Sequence, residues 1–216
     1  MFVFLKRLFA KEFFKKDIAL AVCCALILSV FINLSGFDTK CQKLRNNIFR
    51  LHILANSNSE EDQKLKLKVR DALLKAGNGI FETAQNKEEV IKLTEENLQF
   101  FKKEAEKVVN EYGKNYPVEV KIEKAYFDTR DYEKFSLPAG EYDSLRVLIG
   151  KAEGKNWWCI MFPAMCIPAA GNVQNIENVT DKATAEITEN KSKYKIKFKA
   201  VEIYESFKSK ISKHIS

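Results

Sequence analysis

The alternation of apolar and polar residues along the chain predicts a sheet whose strands are separated by helices. Period-two runs occupy residues 48–55, 117–122 and 144–150, and a bounded apolar run follows at 157–162. Side chains on a strand alternate between two faces, so this spacing is typical of strands. A fifth strand is expected at 194–199, where lysines alternate with aromatic and aliphatic residues. These lysines would protect a sheet edge from aggregation, with contact to a membrane surface as the alternative.

Three stretches carry apolar residues at spacings of three and four, the pattern of amphipathic helices. The first follows a capping signal at Ser59 and should stop at Gly77. A longer helix is predicted from about Lys87 to Tyr112, and a closing helix from Val201 onward. Residues 47–216, which we call the body, are therefore expected to form an α/β or α+β domain, with a mixed sheet of four to five strands and three helices.

An uncharged segment, residues 18–37, precedes this body between Asp17 and Asp38. As a helix it would extend about 30 Å, the lower limit for crossing a bilayer, and its most apolar part has the length of a signal-peptide core. Five basic residues lie before it, and such clusters stay cytoplasmic. We therefore expect one N-terminal transmembrane or signal helix with the body outside the membrane, either anchored or released by cleavage near Gly36.

These features divide the chain into four expected parts. They are a basic cytoplasmic leader (1–17), a signal peptide or membrane anchor (18–37), a linker (38–46) and an exported α/β domain (47–216).

The charge distribution argues against a nucleic-acid partner. The formal charge of +7 comes from the ends, because residues 1–41 hold six basic and three acidic groups and residues 191–216 hold eight and two. The 149 residues between them hold 22 basic and 24 acidic groups. A nucleic-acid surface needs a broad basic field, which this body lacks.

Few reactive groups are available for catalysis. His52 is the only imidazole away from the C-terminus, and we interpret it as a structural ring hydrogen-bonded to a neighbour. A cell-envelope hydrolase that pairs His52 with Cys159 across adjacent strands is the alternative function. The cysteines and histidines lack the spacing of a zinc site, and no phosphate-binding loop occurs, so we expect no metal and no small-molecule cofactor.

The cysteines are better explained as structural groups. In an exported domain, Cys159 and Cys166 would close a loop of eight residues. Such a disulfide contributes roughly 2 to 3 kcal/mol in the loop-entropy description. The pairing of Cys41 stays open.

Both tryptophans of the chain, Trp157 and Trp158, are neighbours in the predicted strand at 157–162. Neighbouring side chains on a strand point to opposite faces, so one tryptophan should pack inward while the other faces a partner. Simple core packing of both rings is the alternative.

Two dense blocks of sequence carry a family likeness. They comprise Arg50–Ser57, Asp62-Gln63 and Leu65–Ala72, and then Gly140–Tyr142, Leu145–Val147 and Gly154–Cys159. Together they resemble the stage II sporulation protein R family over about residues 48–166. The resemblance implies a non-enzymatic signalling protein, exported from the forespore into the space between forespore and mother cell. There it would activate a membrane-embedded aspartic protease of the mother cell, which processes the precursor of the sigma-E factor.

The same two blocks supply the residues that we expect to contact this protease. They are Arg50, Asn56, Ser57, Asp62, Lys66 and Arg70 from the first block, and Arg146, Asn156, Trp157 and Trp158 from the second. Packing or capping is the alternative role, above all for Asn56 and Ser57. A structural module of the cell envelope is a third possible function.

Overall fold

The computed structural model describes residues 2–82, 84–132, 135–162 and 191–215. Its elements, in chain order, are α1 (Phe2–Asn46), β1 (Phe49–Leu54), α2 (Glu60–Ile80), α3 (Lys87–Glu96), α4 (Leu98–Glu111), β2 (Val118–Phe127), β3 (Arg130–Asp131), β4 (Ser136–Leu137), β5 (Gly140–Ile149), β6 (Asn156–Phe162) and α5 (Lys191–Ile215). The chain divides into two compact units, residues 1–40 and 41–216.

The first unit is the long N-terminal part of α1. Its described apolar side chains are largely exposed, as at Leu20, Leu26 and Ile32. Among the helices whose side chains the structure describes, none is both long and apolar enough to span a bilayer. The signal or anchor role of residues 18–37 stays a prediction.

The second unit is built on a four-stranded mixed sheet with the order β2-β5-β1-β6. Strands β1 and β5 are parallel, whereas β6 pairs antiparallel with β1 and β2 pairs antiparallel with β5. A parallel pair requires a long crossover, and α2, α3 and α4 lie in that connection. The mixed α+β architecture predicted from the sequence is confirmed.

The main core lies between one face of the sheet and helices α2 to α4. Alternate residues of β1 and β5 point into it, and α2 and α4 add apolar side chains at spacings of three and four. Fully buried members include Leu51, Ile53, Leu145, Val147, Val69, Leu73, Phe101 and Ala105. Burying a leucine- or phenylalanine-sized side chain stabilises a fold by roughly 1.5 to 3 kcal/mol, so this layer dominates the stability of the unit.

A smaller core covers part of the other face of the sheet. Leu44 and Ile48 pack there with Phe127, Tyr142 and Ile160. Residues 38–46, expected as a linker, are the last turns of α1.

A buried ion pair holds α5 to this side of the unit. Arg45 Nη2 lies 3.1 Å from Glu205 Oε1, and Arg45 Nη1 donates to the carbonyl of Ala139 at 2.8 Å. The ion pair therefore joins the end of α1 to α5.

The predicted strand at 194–199 is wrong, because these residues belong to the continuous helix α5. The buried residues Phe198, Val201 and Glu205 recur at spacings of three and four, which fits a helix lying on the domain. The alternation of lysines with apolar residues over these few positions is compatible with a strand and with a helix, so it does not identify a strand here.

The helix predicted from Lys87 to Tyr112 is divided at Asn97 into α3 and α4. The Asn97 side chain donates to the carbonyl of Leu93 at 2.8 Å. Asparagine competes with the helical backbone through such bonds, which explains the break.

Gly77 does not end α2, which continues to Ile80. Its missing side chain leaves room for Met161, whose Cε would lie 2.7 Å from a Cβ at this position. The glycine therefore serves packing between α2 and β6.

The stretch from Asp128 to Asp143 is polar and contains Pro138 and Gly140, which predicts a loop, but it holds more structure than that. Strands β3 and β4 form a two-stranded ribbon, and β5 already begins at Gly140. Each strand of this ribbon has only two residues, which is too short for an alternating pattern to be visible in the sequence.

Gly140 tests how tightly Arg45 packs against the start of β5. Its φ is +140°, and a Cβ there would lie 2.7 Å from Arg45 Cδ. We expect Gly140→Ala to lower the free energy of unfolding by about 1 to 3 kcal/mol, measured by denaturant titration. Gly79→Ala is the matched control, because nothing lies within 4 Å of its added methyl group. Equal stability of the two variants would show that Arg45 does not constrain this backbone.

Candidate functional site

A buried carboxylate organises the turn between β1 and α2. Asp62 accepts hydrogen bonds from Asn56 Nδ2 at 2.8 Å and Ser57 Oγ at 2.6 Å. Its own N–H donates to Ser59 Oγ at 3.2 Å, which caps α2 as predicted. Burial alone would raise the pKa of Asp62, but hydrogen bonds from Ser57, Asn56 and Tyr116 outweigh it and lower the pKa. The carboxylate is therefore held in its charged form.

The same polar network fixes the turn between β5 and β6. Asn56 Oδ1 accepts from the Lys151 N–H at 3.0 Å, and the Gly154 N–H donates to the Ala55 carbonyl at 2.9 Å. Gly150 has a φ of +61°, and a side chain there would collide with Asn56. Two distant segments of the chain thus meet through Asn56.

Lys66 completes this network from α2. It is buried, and its Nζ donates to Gln63 Oε1 at 2.6 Å and to the Lys155 carbonyl at 2.9 Å. Burial is the main cause that lowers the pKa of Lys66, and the charges of Lys155 and Arg70 act in the same direction. The polar atoms of Asn56, Ser57, Asp62 and Lys66 are therefore engaged within the domain. Their predicted contact with a partner stays a prediction.

The network places the two tryptophans beside β1. Trp157 pairs with Ile53 and Trp158 with His52, so the two rings lie on opposite faces of the sheet. Both rings are half-buried, whereas Asn156 before them is exposed. We call Asn156, Trp157 and Trp158 the tryptophan edge.

Trp157 faces the main core and is covered by an arginine. The Arg70 guanidinium lies 4.6 Å from the centre of the Trp157 ring, a cation–π contact. Arg70 is itself held by Asp71 at 2.6 and 2.8 Å. Two of the predicted contact residues therefore pack on each other.

Trp158 stacks on His52 on the other face. The ring centroids are 4.4 Å apart with an interplanar angle of 15°, and Phe127 packs edge-on against Trp158 at 4.5 Å. Within the described part of the chain, neither His52 ring nitrogen meets strict hydrogen-bond geometry, so stacking holds the ring, and its predicted hydrogen bond to a neighbour stays a prediction. Burial lowers the pKa of His52, with Asn156 acting in the opposite direction. The ring is expected to be neutral.

Arg50 is fully buried, and its predicted contact with a partner stays a prediction. Its guanidinium lies 4.0 Å from the Phe127 ring centre and 5.0 Å from that of Tyr142, and its Nη2 donates to the Tyr132 hydroxyl at 2.9 Å. Burial lowers the pKa of Arg50. The aromatic residues that hold it were not predicted as site residues, although Phe127 and Tyr142 continue the alternation of β2 and β5.

A small cavity of about 30 Å³ opens beside this arginine. It is lined by Arg50, Asp128, Arg130 and Trp158. Trp158 therefore borders both the His52 stack and a charged recess.

Arg146 lies on the same face of the sheet, opposite His52 in the β1–β5 register. It forms an ion pair with Glu123 and is half-buried. Lys121 lies 3.6 Å from Glu123. These charges extend the polar surface from Trp158 across three strands.

The Cys159–His52 pair of a hydrolase does not form. Cys159 is opposite Leu51 in the register and belongs to the main core, whereas His52 lies on the other face against Trp158. Cys166 lies outside the described residues, so the disulfide with Cys159 stays a prediction.

Comparison with known proteins gives three results. A family model described as Stage II sporulation protein R matches residues 45–172, which include every strand of the sheet. Stage II sporulation protein R of Bacillus subtilis (strain 168) is 31% identical over 176 residues, covering 78% of this chain and 78% of that protein. No solved structure matches the chain.

The His52 stack predicts a pH dependence of stability. The folded pKa lies below the unfolded value of 6.5, so the unfolded chain takes up a proton first as the pH falls. The free energy of unfolding should be highest above pH 6.5. As the pH falls from 6.5 toward the folded pKa, it should decrease by at most about 1.4 kcal/mol per pH unit. His52→Phe keeps an aromatic ring and should remove this decline in denaturant titrations between pH 8 and 5. An unchanged decline in His52→Phe would assign the titration to another group.

The Asp62 network predicts a specific loss of stability. Asp62→Asn replaces the charged acceptor with an amide, and we expect unfolding to become easier by about 1 to 3 kcal/mol near pH 7. Because the folded pKa is lowered, the difference should shrink as the pH falls below about 4. Glu60→Gln is the control, since its side chain is exposed on the same turn. A difference that does not change with pH would contradict the charged-acceptor role.

Proposed function

Because this chain belongs to the stage II sporulation protein R family, and so has a role in sporulation, we propose that it is an exported signal that activates a membrane-embedded aspartic protease. The protease lies in the mother cell and processes the sigma-E precursor. The signal is made in the forespore and acts from the space between the two cells. The chain acts as a ligand and not as an enzyme in this proposal.

The N-terminal sequence supports the proposed export. Residues 18–37 are uncharged, and the basic residues before them favour a cytoplasmic N-terminus. Either an anchored or a released body would then lie on the outer side of the forespore membrane. In both cases the second unit can meet the outward face of the protease.

The observation that carries the docking proposal is the half-buried Trp158 on the tryptophan edge. Tryptophan and arginine are enriched at interface hot spots, where large rings fill pockets of the partner. Trp158 borders the recess lined by Arg50, Asp128 and Arg130, and its inner side is held by His52. A partner that inserts beside this ring meets a rigid, already positioned surface. Preorganisation of this kind lowers the entropic cost of binding.

Activation requires that the ligand distinguish two states of the protease. A ligand shifts an equilibrium only by the difference in its affinity for the two states. A change from 1:99 to 99:1 requires about a 10⁴-fold preference for the active state. We propose that the tryptophan edge and the neighbouring charged face, including Arg146 and Glu123, supply this preference.

Geometry disfavours the hydrolase as the second function. Its two reacting groups, Cys159 and His52, lie on opposite faces of the sheet. The Cys–His mechanism requires a hydrogen bond between nucleophile and base. The ligand proposal needs no such pair.

Replacing each tryptophan separates docking from folding. We expect Trp158→Ala to abolish precursor cleavage when the chain meets membranes that contain the protease, while the free energy of unfolding falls by about 1 kcal/mol through loss of the stack. Trp157→Ala should cost about 2 to 4 kcal/mol, because it opens the main core beneath Arg70. Cleavage of the precursor and denaturant unfolding are measured on the same samples.

Phe100→Ala is the matched control, because this ring is 42% exposed on α4, packs against Phe101 and is not part of the tryptophan edge. It should leave cleavage unchanged. Full activation by Trp158→Ala, or equal loss with Phe100→Ala, would remove the tryptophan edge from the docking surface. If the wild-type chain does not support cleavage of the precursor, the activator proposal itself is wrong.

A further inference from the structure

Helix α5 has two apolar faces. One faces the domain and buries Phe198 and Val201 together with Glu205. At about 100° per residue, a second group falls on the opposite side of the helix. Its members are exposed by 53 to 86% and comprise Ile196, Ile203, Tyr204, Phe207 and Ile211. We call these five residues the outer stripe.

The outer stripe is unusual for a solvent-facing helix surface. It extends over about four turns, and a contiguous exposed apolar patch on a soluble domain generally marks an interaction surface. The packing of α5 does not require it, because the ion pair Arg45–Glu205 and the buried residues lie on the other side. Among the described residues none covers the stripe, which is therefore open to a partner in this part of the chain.

Charge identifies the kind of partner. Helix α5 contains eight lysines and two glutamates. The helical spacing places Lys199 and Lys210 along one border of the stripe, and Lys197 and Lys208 along the other. An anionic surface with an apolar layer beneath it complements this arrangement.

A protein partner would fit the same surface less well. Lysine is depleted at the centre of protein interfaces, because its ammonium group is costly to desolvate. At a membrane, the lysine stems lie along the apolar layer while their ammonium groups reach the phosphates. We propose that α5 lies on an anionic membrane surface, with its outer stripe in the interfacial layer and the sheet held close to the bilayer.

The outer stripe shares no residue with the tryptophan edge. The family match ends at residue 172, before α5 begins. Membrane contact through α5 would limit the orientation of the second unit and raise its local concentration at the protease. The inference does not depend on protease activation, so either proposal can fail alone.

Hydrogen exchange can test the contact on the full-length chain, because it reports on α5 separately from residues 18–37. The chain is mixed with vesicles of phosphatidylcholine alone or with added phosphatidylglycerol, and peptides are followed by mass spectrometry. We expect exchange in residues 194–211 to slow roughly tenfold with the anionic vesicles only. Peptides of α4 should show no difference, and raising the salt to about 1 M should weaken the protection because the charges are screened.

The paired variant Ile203→Ser/Phe207→Ser removes the centre of the outer stripe and should abolish the protection. Both positions are exposed, so the unfolding curve should be unchanged. Phe100→Ser, an exposed aromatic on α4, is the control and should keep the protection. Equal exchange with both kinds of vesicle, or protection that survives in the paired variant, would overturn the proposal. Protection by protease-containing detergent micelles without anionic lipid would assign the stripe to a protein instead.

Discussion

The carboxylate of Asp62 is the constraint on which the arrangement of the sheet edge depends. It receives hydrogen bonds from Asn56 and Ser57, and Asn56 in turn binds the turn that leads into β6. One buried charge therefore links the end of β1, the start of α2 and the entry to the tryptophan edge. The sequence blocks that suggested the family are distant along the chain, and this network brings them together. Their shared role within the domain is to position a surface.

The tryptophan edge is both rigid and partly exposed. Trp157 is clamped between Arg70 and the main core, and Trp158 lies on the ring of His52. Each ring is thereby fixed before any partner arrives, while part of it remains accessible. A ligand that must favour one state of a protease benefits from this, since little binding energy is lost in ordering the contact residues. The outer stripe of α5 would add orientation relative to the membrane without altering the edge.

Strand alternation predicted the four main strands, because one face of each strand is covered by helices and apolar residues there must recur at period two. The same reasoning could not show that Arg50 and His52 are buried, because alternation marks which residues share a face but not what covers the polar face of β1. Aromatic residues from β2 and β5 cover that face, and their approach depends on strand order, which no local pattern contains. The lysine-rich run before Val201 fits both a strand and a helix. Ile196 and Phe198 are two residues apart, which would place them on one face of a strand, but in the helix they lie on opposite sides, one exposed and one buried. Asn97 divided a helix that the apolar spacing presented as continuous.

The central proposal is that Trp158 touches the protease, and site-directed photo-crosslinking tests it most directly. A photoreactive phenylalanine derivative placed at position 158 of the full-length chain should form a crosslink to the protease in membranes that contain it. The same derivative at position 100, on the exposed part of α4, should form none. Crosslinking of equal yield at both positions, or its absence at position 158 while precursor cleavage proceeds, would contradict docking through the tryptophan edge.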